Sequence, residues 1–139
     1  ETNRLTYKGP KIDAETKTRV EIEIPLGDFM TGADNSELEY KVRMKKDATL
    51  IYAWEVVGTR EPRDFHFDQH GHTTPKAGQP MTVATYKQAF GLKQNGALTA
   101  PFDGIQGWQF SNSSDKPLVT PLKRTAFSVL KRFRCGIIA

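Results

Sequence analysis

Apolar and polar residues alternate with a period of two along much of this chain. Val20, Ile22 and Ile24 alternate with glutamates before a turn at Pro25, and residues 38–44 repeat the same pattern. Such alternation is typical of strands with one buried face and one wet face. Residues 50–57 are apolar at nearly every position, which predicts a central strand that is packed on both faces.

Further short extended segments follow, separated by glycine, proline and asparagine. They cover residues 65–67, 83–90, 97–100, 108–110, 118–125 and 126–130. Pro121 cannot donate a ladder hydrogen bond, so its strand is predicted to be an edge strand or to be interrupted there. No segment keeps a helical period over three turns. About eight short strands predict an all-β fold, an antiparallel β-sandwich of jelly-roll type.

The length of 139 residues fits one domain. Residues 1–17 are polar and predict an extended lead-in or tether, residues 18–130 the sandwich, and residues 131–139 an irregular C-terminal tail.

The net charge of +4 is mild, and the basic residues are mostly interspersed with acidic ones. Neither a basic stripe nor a module that reads nucleic acid is recognisable, so no nucleic-acid partner is expected. No apolar run approaches the roughly 20 residues that cross a bilayer. The single cysteine, Cys135, excludes a disulfide within the chain.

All three histidines fall in one short segment, in which the metal-ligating residue types occupy even positions only. These residues are Asp64, His66, Asp68, His70 and His72, with Phe65 and Phe67 between them. In a strand the ligand types share one face and the phenylalanines the other. Imidazole and carboxylate groups suit zinc, copper, nickel or cobalt.

The spacing of a strand limits this hypothesis, because same-face neighbours lie about 6.6–6.8 Å apart. The predicted metal ligands are His66, Asp68, His70 and His72. Only adjacent members can converge on one ion: His66 with Asp68, or His70 with His72 after a bend at Gly71. A third ligand would come from another loop or another chain. The alternative is a solvated polar face with no metal.

The sequence shows no arrangement that predicts an enzyme. It has no nucleophile elbow and no glycine-rich phosphate loop, and Glu21 and Glu23 fit a solvated strand face. The expected function is therefore binding. The aromatic residues fit core packing, and their alternative is a sugar-stacking platform for a carbohydrate or small ligand; these residues are Tyr52, Trp54, Trp108 and Phe110.

Several motifs resemble, in the same order, a family of bacterial transmembrane anchor proteins without an established activity. They are Tyr7-Lys8-Gly9-Pro10-Lys11, Asp13-Ala14-Glu15-Thr16-Lys17-Thr18, Tyr52-Ala53-Trp54, Asp64-Phe65-His66, Ala100-Pro101-Phe102-Asp103-Gly104-Ile105, Gly107-Trp108 and Asn112. The resemblance covers roughly residues 7–128.

This resemblance implies a membrane helix that precedes the tether, and a sandwich domain similar to the Golgi-dynamics type at the periplasmic face of the inner membrane. It also implies a protein partner in the cell envelope and a metal-related accessory role. The chain departs from the family in three respects: Gln106 stands where members tend to have histidine, Gln109-Phe110-Ser111 stands where they tend to have Tyr-Trp-Glu, and the chain continues past Ser128.

Overall fold

The computed structural model describes residues 16–128 and 136–138, which form two antiparallel sheets. Its strands are β1 (Thr16–Leu26), β2 (Glu37–Met44), β3 (Thr49–Glu55), β4 (Phe65–Thr73), β5 (Val83–Phe90), β6 (Lys93–Thr99), β7 (Gly104–Asn112), β8 (Leu118–Ser128) and β9 (Gly136–Ile138). A 3-10 turn, Pro62–Asp64, precedes β4. The predicted all-β sandwich is confirmed.

The order of the strands identifies the sandwich as a jelly roll. The first sheet has the order β1-β8-β3-β6 and the second β5-β4-β7-β2-β9. The chain changes sheet at every connection between these strands except the one from β4 to β5. The pairs β1·β8, β2·β7, β3·β6 and β4·β5 are therefore successive rungs of one long ribbon rolled into two layers.

The alternating segments behave as their sequence predicts, but the continuous apolar run does not. In β1 and β2 the alternate residues Ile24, Tyr40, Val42 and Met44 are buried. β3 lies between β8 and β6, so its central position is confirmed. Packing on both of its faces is wrong, because Ile51 is 48% exposed on the outer face.

The two alternatives predicted for Pro121 have different outcomes. β8 is an inner strand between β1 and β3 and runs through Pro121, so an edge position is wrong. Pro121 pairs with Glu23 on the β1 side. On the β3 side the ladder stops at the pair Trp54–Leu122, and pairing resumes in the same register at Val57–Val119. The predicted interruption is therefore found in the pairing with β3, because Pro121 has no N–H to donate there.

The predicted tether and tail lie mostly outside the described residues. β1 already begins at Thr16, within the range assigned to the tether. In the tail, residues 136–138 are not irregular, because they pair with residues 41–43 of β2 as the last strand of the second sheet. No described helix is long and apolar enough to span a membrane.

Aromatic side chains from both sheets fill the centre of the sandwich. Trp54 of β3 meets Phe67 and Phe110 edge-on, with ring centroids 5.0 and 5.1 Å apart. Trp108 of β7 meets Tyr52 of β3 in the same manner at 5.0 Å. Edge-to-face pairs of this kind add about 0.5–1.5 kcal/mol each beyond their buried area. The two layers are thus joined by packing across their interface.

One carboxamide satisfies the polar groups of these tryptophans. Gln94 Oε1 accepts hydrogen bonds from Trp54 Nε1 at 3.0 Å and Trp108 Nε1 at 2.8 Å. Its Nε2 donates to Gln69 Oε1 at 2.9 Å. Gln94 and Trp54 belong to the first sheet, and Trp108 and Gln69 to the second. Gln94 therefore links the sheets by hydrogen bonds within an otherwise apolar layer.

Arg124 of β8 is a buried charge with incomplete pairing. Its Nε donates to the Tyr40 hydroxyl at 2.8 Å, but Nη1 and Nη2 have no hydrogen-bond partner in the described structure. The residue is 1% exposed. Burial raises the pKa of the Tyr40 hydroxyl, and the nearby guanidinium opposes this shift. A buried cation without an anionic partner opposes folding.

We expect Gln94→Met to destabilise the protein, because it leaves two buried indole N–H groups without an acceptor. Each such group costs about 1–3 kcal/mol. Urea unfolding followed by tryptophan fluorescence measures the loss. The control is Gln109→Met on the outer face of β7, expected within about 0.5 kcal/mol of the wild type. Equal stability of both variants would contradict the role given to Gln94.

We expect the double variant Arg124→Met/Tyr40→Phe to be at least as stable as the wild type, and up to about 4 kcal/mol more stable. The change removes the guanidinium together with the Tyr40 hydroxyl that accepts its hydrogen bond, and it keeps the core filled. Tyr40→Phe alone leaves Arg124 with no partner and should cost about 1–3 kcal/mol. Chemical denaturation of the three proteins tests this order; a double variant less stable than Tyr40→Phe contradicts it.

Candidate functional site

The predicted ligand row lies on the outer face of β4. Phe65 and Phe67 are buried in the core, whereas His66, Asp68 and His70 are only partly buried, as is His72. This division of the two faces is the one that the sequence predicts. The strand continues through Gly71 to Thr73, and its pairing with β5 shifts between Gln69 and His70 instead. The predicted bend at Gly71 is therefore wrong.

The members of this row have separate partners. The His66 ring packs against Phe90 with centroids 4.9 Å apart. His72 Nδ1 lies 2.9 Å from the carbonyl oxygen of Thr73. Asp68 Oδ2 accepts a hydrogen bond from Gln88 Nε2 at 3.0 Å. Only Asp68 and His70 approach each other, with 3.3 Å between Oδ1 and Nδ1.

His70 also meets a lysine that the sequence pattern does not reveal. Lys41 Nζ lies 2.7 Å from His70 Nε2. The two residues sit on either side of Gly107 in the sheet, and glycine leaves the space between them open. An ammonium group has only donors, so Nε2 accepts from a charged Lys41. The proton of the imidazole is then on Nδ1, which lies 3.2 Å from the backbone carbonyl oxygen of Asp68. Burial lowers the pKa of Lys41, and Glu39 and Asp68 oppose this shift.

Of the four predicted metal ligands, the structure brings only Asp68 and His70 close together. In residues 16–128 and 136–138, no three His, Cys, Asp or Glu side chains are grouped as metal ligands. The lone pair of His70 Nε2 points at a lysine, which competes with a cation for that nitrogen. Metal binding by His66, Asp68, His70 and His72 stays a prediction from sequence.

The alternative of an aromatic sugar-stacking platform is wrong, because its members lie in the core. Trp54 is 3% exposed and Trp108 is 0% exposed, and Tyr52 and Phe110 are buried beside them. None of these rings presents a face on which a sugar could stack. The core-packing interpretation of the four residues is confirmed.

A basic cleft lies at the end of the sandwich where β2 and β4 finish and β7 begins. We use this name for a cavity of about 720 Å³ whose charged lining residues are Arg43, Lys45, Lys46, Lys76 and Asp103. Cavities of this size are typical of ligand sites. Four cations thus face one carboxylate. That carboxylate is engaged locally, since Asp103 Oδ1 accepts from the Lys46 backbone N–H at 2.7 Å and Oδ2 lies 3.7 Å from Lys45 Nζ.

The cleft also has an apolar part, formed by Met44, Pro80, Pro101 and Phe102. Its lining comes from three stretches that are far apart in the sequence, namely residues 43–46 at the end of β2, 73–82 between β4 and β5, and 101–104 before and at the start of β7. Sequence reasoning missed the cleft for this reason. The one local signal is the doublet Lys45-Lys46 directly after an alternating strand.

No family model and no curated protein matches this chain. Its fold is similar to that of a solved structure of PliG from Aeromonas hydrophila, a periplasmic lysozyme inhibitor of g-type lysozyme. The TM-score is 0.43 at 11% identity, over 81% of this chain and 87% of that one.

Two further likenesses are more distant. The Cnp3 cupin domain of Schizosaccharomyces pombe aligns with a TM-score of 0.28 at 10% identity, over 86% of this chain and 58% of that one. A chain of infectious bursal disease virus, Gx strain, aligns with a TM-score of 0.32 at 8% identity, over 88% of this chain and 39% of that one. The jelly-roll assignment therefore rests on the strand order of this chain itself.

If the β4 row binds a metal through His70, Lys41→Met should tighten that binding about tenfold or more, because it removes a competing ammonium from Nε2. Calorimetry with zinc, copper, nickel and cobalt measures the change. Adding His66→Ala and His70→Ala should abolish the signal, and Lys87→Met is a control outside the row. Absence of heat with every metal in both the wild type and Lys41→Met removes the hypothesis.

Proposed function

We propose that this chain is a non-enzymatic binding domain that holds an acidic segment of a protein partner in the basic cleft. The observation that carries the proposal is the charge of its lining, with Arg43, Lys45, Lys46 and Lys76 around about 720 Å³ and Asp103 as the opposing carboxylate. Asp103 lies near the Lys45 ammonium and accepts from the backbone N–H of Lys46, so the side-chain charges of Arg43, Lys46 and Lys76 are not paired with it and are available to a ligand. A concave site of one sign attracts ligands of the opposite sign.

The apolar part of the cleft favours a peptide segment over a small inorganic anion. Pro80, Pro101 and Phe102 offer carbon surface next to the cations. An acidic segment with one or two apolar side chains complements both features, since apolar contact supplies affinity and charge supplies orientation. A free phosphate or carboxylate ion would leave the apolar surface unused.

The chemistry of the lining supports binding more than catalysis. Among the described residues that line the cleft, the titratable groups are lysines, Arg43 and Asp103, and the hydroxyl groups belong to threonines. A hydrolytic site needs a base within reach of a nucleophile. Asp103 is committed to the turn that carries Lys45 and Lys46, so its role is to shape the cleft.

The cell-envelope setting belongs to this proposal as well. It is supported by the resemblance of the motifs in residues 7–18 and 100–105 to transmembrane anchor proteins. In that setting the domain would be tethered to the periplasmic face of the inner membrane and would present the basic cleft to a neighbouring envelope protein. A metal-related role depends on the β4 row and is tested separately.

We expect a fluorescent peptide with two glutamates on each side of a phenylalanine to bind the protein, and Lys45→Glu/Lys46→Glu to weaken binding tenfold or more. Fluorescence anisotropy at about 0.05 M salt measures both, because screening is weak there. The matched control is Lys87→Glu/Lys116→Glu, which changes the net charge equally on exposed residues outside the cleft. A peptide with serine in place of phenylalanine should bind less tightly.

Two results would contradict the proposal. Equal loss of affinity in both charge-reversal variants would mean that the peptide responds to net charge and not to the cleft. Tighter binding of a single-stranded DNA of the same charge would point to a nucleic-acid partner instead.

A further inference from the structure

The connection between β1 and β2 carries two large apolar side chains into solvent. Phe29 is 59% exposed and Met30 is 67% exposed. We call residues 28–31 with these two side chains the apolar tip. Two adjacent exposed side chains of this size offer an apolar contact surface, and binding through it loses less entropy when the loop is held in one conformation.

Hydrogen bonds hold this loop from within. Asp28 is buried, and its Oδ1 accepts from the Thr31 backbone N–H at 2.7 Å and from the Thr31 hydroxyl. Gly32 takes φ +79° and donates to the Phe29 carbonyl at 3.0 Å. At the base of the loop, Gly27 N donates to Asn35 O at 3.2 Å. The tip is therefore preorganised, and little conformational entropy is lost when it binds.

The loop that carries the tip has two exposed carboxylates and no cation of its own. These carboxylates are Asp34 and Glu37, and residues 27–37 contain no lysine, arginine or histidine. Lys116 lies at the base of the loop, since Asn112 Nδ2 donates to the carbonyl oxygens of both Gly27 and Lys116. Such a surface is repelled by anionic lipid headgroups and attracted by a cationic rim. A fitting receptor is a pocket with an apolar part and basic residues around it.

The basic cleft of this same chain is such a pocket, and it lies at the opposite end of the sandwich. β2 leaves the tip at Glu37 and reaches the cleft at Met44. At about 3.4 Å per residue, this strand separates the two features by roughly 24 Å. One copy therefore cannot place its tip in its own cleft, but a second copy can.

We propose that the chain self-associates head to tail, with the apolar tip of one copy in the basic cleft of the next. The proposal rests on the proposed function of the cleft and names a second copy of this chain as its acidic partner. Phe29 and Met30 contact the apolar lining, and Asp34 and Glu37 meet the lysine rim. Because the two surfaces differ, the contact is heterologous and propagates unless a ring closes.

Sedimentation velocity on the full chain tests this arrangement over roughly 10–1,000 μM, since a contact this small is expected to be weak. We expect the mean mass to rise with concentration at about 0.05 M salt and to fall at about 0.5 M. Phe29→Ser/Met30→Ser and Lys45→Glu/Lys46→Glu should each be monomeric alone. Ile51→Ser/Phe90→Ser, which removes two equally exposed apolar side chains elsewhere, should behave as the wild type.

Mixing the two defective variants is the decisive measurement. The tip variant keeps an intact cleft and the cleft variant an intact tip, so an equal mixture should form 1:1 dimers and nothing larger. A contact between two tips or between two clefts could not be restored in this manner. Monomeric wild type at all concentrations, or continued assembly of the tip variant alone, would overturn self-association.

The outcomes separate this inference from the proposed function. A protein that stays monomeric but still binds the acidic peptide in its cleft would overturn self-association and leave the proposed function intact. A protein that neither self-associates nor binds the peptide would overturn both proposals. Monomeric protein that binds phosphatidylcholine vesicles through Phe29 and Met30 would assign the tip to a membrane instead.

Discussion

The sandwich depends on a hydrogen-bonded bridge between its layers, made by the side chain of Gln94. The oxygen of this carboxamide accepts from Trp54 and Trp108, and its nitrogen donates to Gln69. Two large indole rings can lie in the core only if their N–H groups find an acceptor there. The bridge fixes how the sheets sit on each other, and with them the two ends of the molecule that carry the cleft and the apolar tip.

Alternation of residue types was sufficient to predict most of the strands, because each has one dry face and one wet face. It failed where an apolar residue is exposed or a polar residue is buried. Ile51 is apolar but lies on the outer face of β3, while Gln69 and Arg124 are polar and lie in the core. A single sequence cannot reveal these positions, because their environment is set by partners on strands that are distant in the chain. Pro121 is a similar case, since only the register shows that it is the pairing of β8 with β3 that is interrupted there.

The same limit applies to the candidate sites. The outward row of His66, Asp68 and His70 follows from the period of a strand, and the structure has it on that face. The contact of His70 with Lys41 depends on three adjacent strands and on the absence of a side chain at Gly107. The basic cleft depends on loops that meet only once the roll is closed. Local pattern thus predicts which side chains face water, and topology decides which of them meet.

The pairing of β1 with β8 has a consequence for how the chain folds. Val20 lies opposite Arg124, more than a hundred positions later, and β8 is the one neighbour of β1 within the described structure. During synthesis β1 leaves the ribosome long before β8 exists, so the apolar side chains of β1 stay exposed to solvent until β8 has been made. Closing such distant segments is slow and leaves time for wrong strand pairing. The strand of the sandwich that is synthesised first is thus among the last to be buried. Any chaperone dependence of this domain would originate in that delay.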